Sequence, residues 1–348
     1  MKVVISSFFT LLVAAALGLE PGLFGQSSPA SAHLGDPYRQ AQFSALLQDG
    51  FQRWDNGYLI THAWNGTLET SPGKPAVALY DKDGQLVREA VVWLDGARSV
   101  SVGDVAFNRS ASLMVAGGLV TNQQGVIANF VAEIGDDNRV HRVIRTSPFL
   151  PVYVCALPDK TIWTYGVDRD DHLNGIQNSL RLRHYSFEKG QLGAMLDTSS
   201  LASGEGWLLS RGRYPGEINF RCNSKTVALY NAASSQLVEV DIQTSALKVT
   251  RVAALPSPPD FQITGFALTE SGALFASFYD RSKKPAMSGL FKLSRDSAGG
   301  ATWVPVEGTI GSYLHTSSIE RLLGADGEDL VHTRLKDGKM FWSKQNSQ

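Results

Sequence analysis

The sequence predicts an all-β fold assembled from repeated four-stranded units. Three observations carry this: short apolar runs recur on a fixed beat, turn clusters separate them, and nothing between them has room for a long helix. The runs begin at Leu59, Leu113, Ile162, Val227, Leu274 and Leu330, giving steps of 54, 49, 65, 47 and 56 residues. A second series beginning at Val77, Asn129, Arg181, Leu237, Gly289 and Lys339 keeps the same beat. Clusters such as Asp81-Lys82-Asp83-Gly84 and Asp136-Asp137-Asn138 punctuate them, as turns do between strands.

Taken in chain order, the first element is an export signal. Met1 and Lys2 precede an uncharged apolar run from Val3 to Leu19, and Ser28-Pro29-Ala30-Ser31-Ala32 offers a small-x-small cleavage site. The expected domains are therefore a signal peptide over 1–32 and one body over 33–348, with secretion or a periplasmic location and no membrane segment in the mature chain. An uncleaved anchor is the alternative, since a run of this length lies at the short edge of what spans a bilayer.

Within the body the second unit can be drawn in full, with strands at Val102 to Phe107, Leu113 to Leu119, Val126 to Ile134 and Val140 to Arg145. One antiparallel four-stranded sheet per repeat is the unit of a propeller blade. Six units of about 53 residues use up the 316 residues left after 1–32 are removed from 348. The last unit supplies only three strands, and an open sheet edge inside a ring would expose unpaired backbone donors and acceptors. The segment Gln42 to Leu47 is the expected donor of the missing strand. The fold expected is thus a six-bladed β-propeller of four-stranded antiparallel blades closed by an N-terminal strand.

Phrases such as Leu79-Tyr80-Asp81-Lys82-Asp83-Gly84 and Pro158-Asp159-Lys160-Thr161-Ile162-Trp163 resemble the strand-turn pattern of exported bacterial six-bladed β-propellers of the broad NHL-like and TolB-like groups. The resemblance covers residues 42–348. It implies an architecture and carries no activity with it.

Composition excludes some partners. With 33 acidic and 32 basic residues and a net charge of -1, nothing advertises a polyanion, so nucleic acid is not expected. No G-x-S-x-G elbow, H-E-x-x-H, phosphate loop or CxxC pair is present, and no trio of His stands at ligand spacing, so neither cofactor nor metal is expected. Asp168 to Gly175 gathers carboxylates, an imidazole and a carboxamide; it reads as a solvated turn, with a Ca²⁺ loop as the alternative. Ser294-Arg295-Asp296 followed by Gly300-Ala301-Thr302-Trp303 resembles a sialidase-type Asp box, a structural turn. His184 is expected buried and hydrogen-bonded between sheets, while His62 and His332 lie near strand ends that could face a channel. Cys155 and Cys222 both fall on first strands of neighbouring units. Export permits a disulfide between them, and two buried free thiols are the alternative.

Antiparallel strands reverse at each turn, so the connections from second to third strand and from fourth strand to the next unit leave from one end of the sheets. That end collects the long excursions, Ala202 to Gly216 with Trp207 and Gly311 to Ser317 with Tyr313. Candidate ligand contacts there are Asp170, His172, Arg211, Arg213, Tyr214, Arg281 and His315, since Arg and aromatic groups on loops suit planar or anionic ligands. The function expected is that of a monomeric module binding a small molecule, glycan or protein through one loop face. The alternative is a hydrolase or lyase acting on a sugar or lactone at a channel mouth.

Overall fold

A computed structural model describes residues 39–41, 51–62, 73–169, 176–195, 218–232, 235–253, 261–280, 288–307, 320–336 and 339–346. Residues His33–Gln348 form one compact unit. No helix among the described residues is long and apolar enough to cross a membrane.

The chain opens with β1 (Arg39–Ala41) and then runs through antiparallel meanders. The first meander is β2 (Phe51–Asp55), β3 (Tyr58–His62), β4 (Val77–Tyr80) and β5 (Leu86–Ala90). The second is β6 (Ala97–Asn108), β7 (Leu113–Asn122), β8 (Ile127–Ile134) and β9 (Val140–Arg145); the third is β10 (Phe149–Ala156), β11 (Thr161–Arg169), β12 (Ile176–Ser186) and β13 (Gly190–Met195). The fourth is β14 (Ile218–Cys222), β15 (Thr226–Asn231), β16 (Gln236–Asp241) and β17 (Leu247–Ala253). The fifth is β18 (Phe261–Leu268), β19 (Leu274–Asp280), β20 (Gly289–Arg295) and β21 (Ala301–Pro305). The last strands are β22 (Glu320–Asp326), β23 (Asp329–Lys336) and β24 (Lys339–Asn346), and β1 pairs antiparallel with β24 to make a fourth strand.

Among the described residues the sheets are thus four of four strands and one of eight. The larger one arises where β17 and β21, the outer strands of the fourth and fifth meanders, run parallel over two residue pairs, Val252 with Ala301 and Ala253 with Thr302. The closing strand is Arg39–Ala41, with Arg39 opposite Trp342 and Ala41 opposite Met340, so the donor lies just upstream of the expected Gln42 to Leu47. Residues 42–50 fall outside the described residues.

The first strands of the six groups touch in sequence: β2 to β6, β6 to β10, β10 to β14, β14 to β18, β18 to β22, and β22 back to β2. The contact closes on itself, which is a propeller-like arrangement. Apolar residues alternate or run continuously on the inner strands and pack between neighbouring sheets. Ile60, Leu79, Val105, Met114 and Phe130 fill one such layer, and Tyr230, Phe266, Phe278 and Trp303 another. Most exposed large apolar side chains stand on the outer strands, among them Val87, Val143 and Leu247, while Val126 just before β8 and Ile127 at its start are also exposed.

The short turns are built by side chains that replace missing backbone partners. Asp81 Oδ1 accepts from the Asp83 and Gln85 N–H groups, and Asn122 Oδ1 from Gln124 and Val126. Asp296 of the Asp-box-like segment does the same for Ala298 and Gly300 at 2.9 and 2.8 Å, so that segment is a turn of structure.

Candidate functional site

All seven contacts expected from the sequence, Asp170, His172, Arg211, Arg213, Tyr214, Arg281 and His315, lie outside the described residues. Among the described residues a cavity of about 670 Å³ opens at the other end of the sheets, where each first strand turns into its second. Its lining comes from all six groups, with Asp55, Arg109, Pro158, Arg221, Glu270 and Asp326 among the contributors. That volume suits a small organic ligand.

The turn end is held by links between successive groups. Asn56 Nδ2 donates to the Phe107 carbonyl at 3.0 Å, and Asn108 Nδ2 to the Ala156 carbonyl at 3.1 Å. Asn223 Nδ2 donates to the Thr269 carbonyl at 2.7 Å, and the Glu270 N–H to the Gly327 carbonyl at 3.0 Å. Between the third and fourth meanders the link is covalent: Cys155 and Cys222 form a disulfide with their Cα atoms 6.1 Å apart, inside the bridging window. That distance decides between the bridge and the two free thiols that the sequence left open. At the remaining junction Gly324 of β22 lies against Trp54 of β2, where a Cβ would stand 2.7 Å from the Trp54 carbonyl oxygen, so only glycine fits.

Below the rim two arginines occupy equivalent places. Counting back two residues from the last paired residue of each first strand gives Arg53, Ala106, Cys155, Arg221, Ala267 and Gly324. Arginine therefore stands at the first and fourth positions, with small residues between. Arg53 Nη1 reaches the Val154 carbonyl of the third meander at 3.0 Å, and Arg221 Nη2 reaches the Leu323 carbonyl on β22 at 3.1 Å. Val154 and Leu323 are themselves equivalent, each three residues before the last paired position, so the two bonds match.

The charges around them do not. Arg53 is buried, its Nη1 donating to Asp104 Oδ2 at 2.8 Å, its Nη2 to Asp55 Oδ1 at 3.0 Å, and its Nε standing 2.9 Å from Asp55 Oδ2. Asp104 Oδ2 also accepts the Val154 N–H at 3.0 Å, and its Oδ1 lies 3.7 Å from Nε2 of buried His62. Burial opposes the Asp104 charge, but Arg53, His62 and the Val154 N–H outweigh it and hold its pKa below the ordinary value. At Asp55 burial wins over the attraction of Arg53, and the pKa is raised. Arg53 is likewise penalised by burial, yet its two carboxylates leave it more strongly protonated than usual.

Arg221 is half-buried, its Nη1 on the Phe220 carbonyl at 2.8 Å and its Nη2 on Leu323. Among the described residues no carboxylate forms an ion pair with it, and its buried Nε has no hydrogen-bond partner. Burial, followed by repulsion from Arg53, pushes its pKa down to about 10, against the weaker pull of Asp55 and Asp104.

The histidines divide. His62 lies beside Asp104, as above. Burial pushes the pKa of His332 down to about 4. His184, expected to be hydrogen-bonded between sheets, is half-buried and stacks on Trp163 with ring centroids 4.6 Å apart; among the described residues its buried Nε2 has no hydrogen-bond partner. Register explains this, because His184 sits directly opposite Trp163 across β11 and β12. Sequence reasoning missed Arg53, Asp55, Asp104 and Arg221, whose signal was arginine two residues before a strand's turn at positions 53 and 221.

No family model matches the chain and no curated protein does. Among solved structures it is similar to an exported protein of Bacteroides fragilis, at 11% identity and a TM-score of 0.49 over 89% of this chain and 95% of that one. A periplasmic gluconolactonase of Pseudomonas aeruginosa gives 11% identity and a TM-score of 0.43 over 86% of each chain. A luciferin-regenerating enzyme gives 12% identity and a TM-score of 0.46 over 86% of this chain and 93% of that one. All three stand below a TM-score of 0.5, and no property of theirs transfers to this chain.

Proposed function

We propose that this chain is an exported six-bladed β-propeller, closed by its N-terminal strand, that binds a small ligand at the mouth of its central channel. The observation that carries the reading is the cavity of about 670 Å³ whose lining is drawn from the turn ends of six successive first strands. A site assembled this way is held by a rigid ring, and the links made by Asn56, Asn108, Asn223 and the disulfide keep its walls in place. Hydrolysis of a sugar or lactone ranks behind binding, because the carboxylates of the lining are engaged, Asp55 by Arg53, Glu270 by Ser224 and Asp326 by Lys344. The seven long-loop residues remain a proposed contact surface at the opposite end.

The test is a thermal-shift screen of small metabolites, since a ligand that binds the native state raises its melting temperature. Each hit is repeated on Ser110→Trp, which narrows the cavity mouth, and on Arg211→Ala combined with Arg213→Ala. Loss of the shift in Ser110→Trp alone is the expected result. Loss only in the double-arginine variant would move the site to the long loops and overturn this assignment.

A further inference from the structure

We infer that Arg221 is the receptor for the carboxylate of a small monocarboxylic acid held in the cavity, an inference that rests on the cavity being a ligand site. The argument is an internal comparison. Arg53 and Arg221 stand at equivalent positions and make the same bond to a backbone carbonyl two groups further on. Arg53 is neutralised by two carboxylates, Asp55 two residues along its own strand and Asp104 on the next first strand, four residues before that strand's last paired position.

The fourth to sixth groups keep the arginine and lose both acids. Asn223 stands where Asp55 does, and Gly265, four residues before Thr269, stands where Asp104 does. Gly265 is enforced by packing, because a Cβ there would collide with the Leu322 carbonyl oxygen. No aspartate can take that place. Asn223 is committed too: its Oδ1 accepts the Lys225 and Thr226 N–H groups while its Nδ2 holds Thr269.

A guanidinium has five N–H donors in a planar fork that fits a carboxylate. Two groups on Arg221 are turned to carbonyls, and those bonds compensate no charge. The first half shows what this placement accepts, carboxylate oxygens at 2.8 to 3.0 Å from the guanidinium. The depressed pKa of about 10 fits a cation that is under-compensated where it stands. Arg221 also lines the cavity, so the missing carboxylate can arrive from solution.

The same surroundings limit the ligand to one charge. Asp55 and Asp104 are close enough to act on Arg221, and Asp55, Glu270 and Asp326 line the same cavity, so a second anionic group there would be repelled. Arg109, the other cation of the lining that makes no ion pair among the described residues, is exposed at the rim and lies over the Tyr58 ring. The ligand class is therefore a monocarboxylate with an uncharged remainder. A dianion such as phosphate is disfavoured.

Isothermal titration of the purified protein tests this, using acetate, hexanoate, hippurate and glucuronate, each beside its neutral amide, with succinate and inorganic phosphate as further probes. The expected result is that at least one monocarboxylate binds at least about tenfold more tightly than its amide, and that Arg221→Gln removes the difference. Asn223→Asp should do the same by supplying an internal carboxylate, and it keeps the acceptor for the turn N–H groups should Arg221→Gln fold poorly. Ser110→Trp should abolish binding of acid and amide alike. Equal binding of acid and amide, both lost in Ser110→Trp, overturns the role of Arg221 and leaves the cavity as a site. Binding untouched by Ser110→Trp overturns both readings. Tighter binding of phosphate, or no acid binding at millimolar concentration, overturns the carboxylate assignment.

Discussion

Arg53 and Arg221 are one structural device used in two electrostatic settings. In the first half of the ring the guanidinium is buried, shares two carboxylates and reaches the Val154 carbonyl. In the second half it reaches the equivalent Leu323 carbonyl, but Asn223 and Gly265 replace the acids, so of these two arginines, both lining the cavity, only Arg53 is charge-paired among the described residues. The lesson is that the backbone bond alone suffices to place such an arginine. The carboxylates decide whether it is a closed structural pair or an open cation.

The largest effect should therefore come from Arg53. Replacing it with Met strands Asp55 and Asp104 in the interior, and breaking a buried pair from one side costs about 3–5 kcal/mol, measurable by urea unfolding. A loss below about 1 kcal/mol would contradict a buried, coupled network.

The junctions between the two halves come next. Where the third meander meets the fourth, the disulfide closes a sequence separation of 67 residues, and converting Cys155 and Cys222 to Ala should lower unfolding free energy by about 2–4 kcal/mol. At the other junction, deleting residues 33 to 48 should broaden the melt by leaving β24 as a bare edge. An unchanged, sharp melt would sink closure by the N-terminal strand.

Burial of His332 in the second half adds a pH dependence to stability. His332 resists protonation down to about pH 4 when folded, whereas the unfolded chain takes the proton near 6.5, so stability should fall as pH drops through that window. The difference amounts to about 3 kcal/mol, and His332→Gln should flatten it in urea titrations at pH 7, 5.5 and 4.5. A variant with the wild-type slope would show that His332 is not its source.

Arg221 should give the smallest effect. Arg221→Met removes two hydrogen bonds to carbonyls and relieves repulsion with Arg53, so its net change should stay within about 1 kcal/mol. A loss matching that of Arg53→Met would erase the distinction between the halves.

Much of the scaffold was legible because turn spacing and strand alternation are local properties. The strand expected at Val140 to Arg145 is β9 to the residue, and Leu113 to Leu119 lies within β7. Cys155 and Cys222, expected on first strands of neighbouring units, stand on β10 and β14, where they bridge. The closing strand was misplaced by a few residues because Arg39–Ala41 spans only three residues and carries no apolar run of its own. The arginine pair was not legible for a different reason. Each bond spans about a hundred residues, and its meaning depends on a glycine, Gly265, whose constraint is a carbonyl in the next group.

The claim that carboxylates alone separate the two arginines is tested most directly by a double-mutant cycle in urea between Arg221→Met and Asn223→Asp. The account predicts that Arg221→Met, nearly neutral in the wild-type background, becomes costly once position 223 is acidic, with a coupling of about 1–3 kcal/mol. A coupling below about 0.3 kcal/mol would show that Arg221 does not accept a carboxylate where Arg53 does, and the account would be wrong.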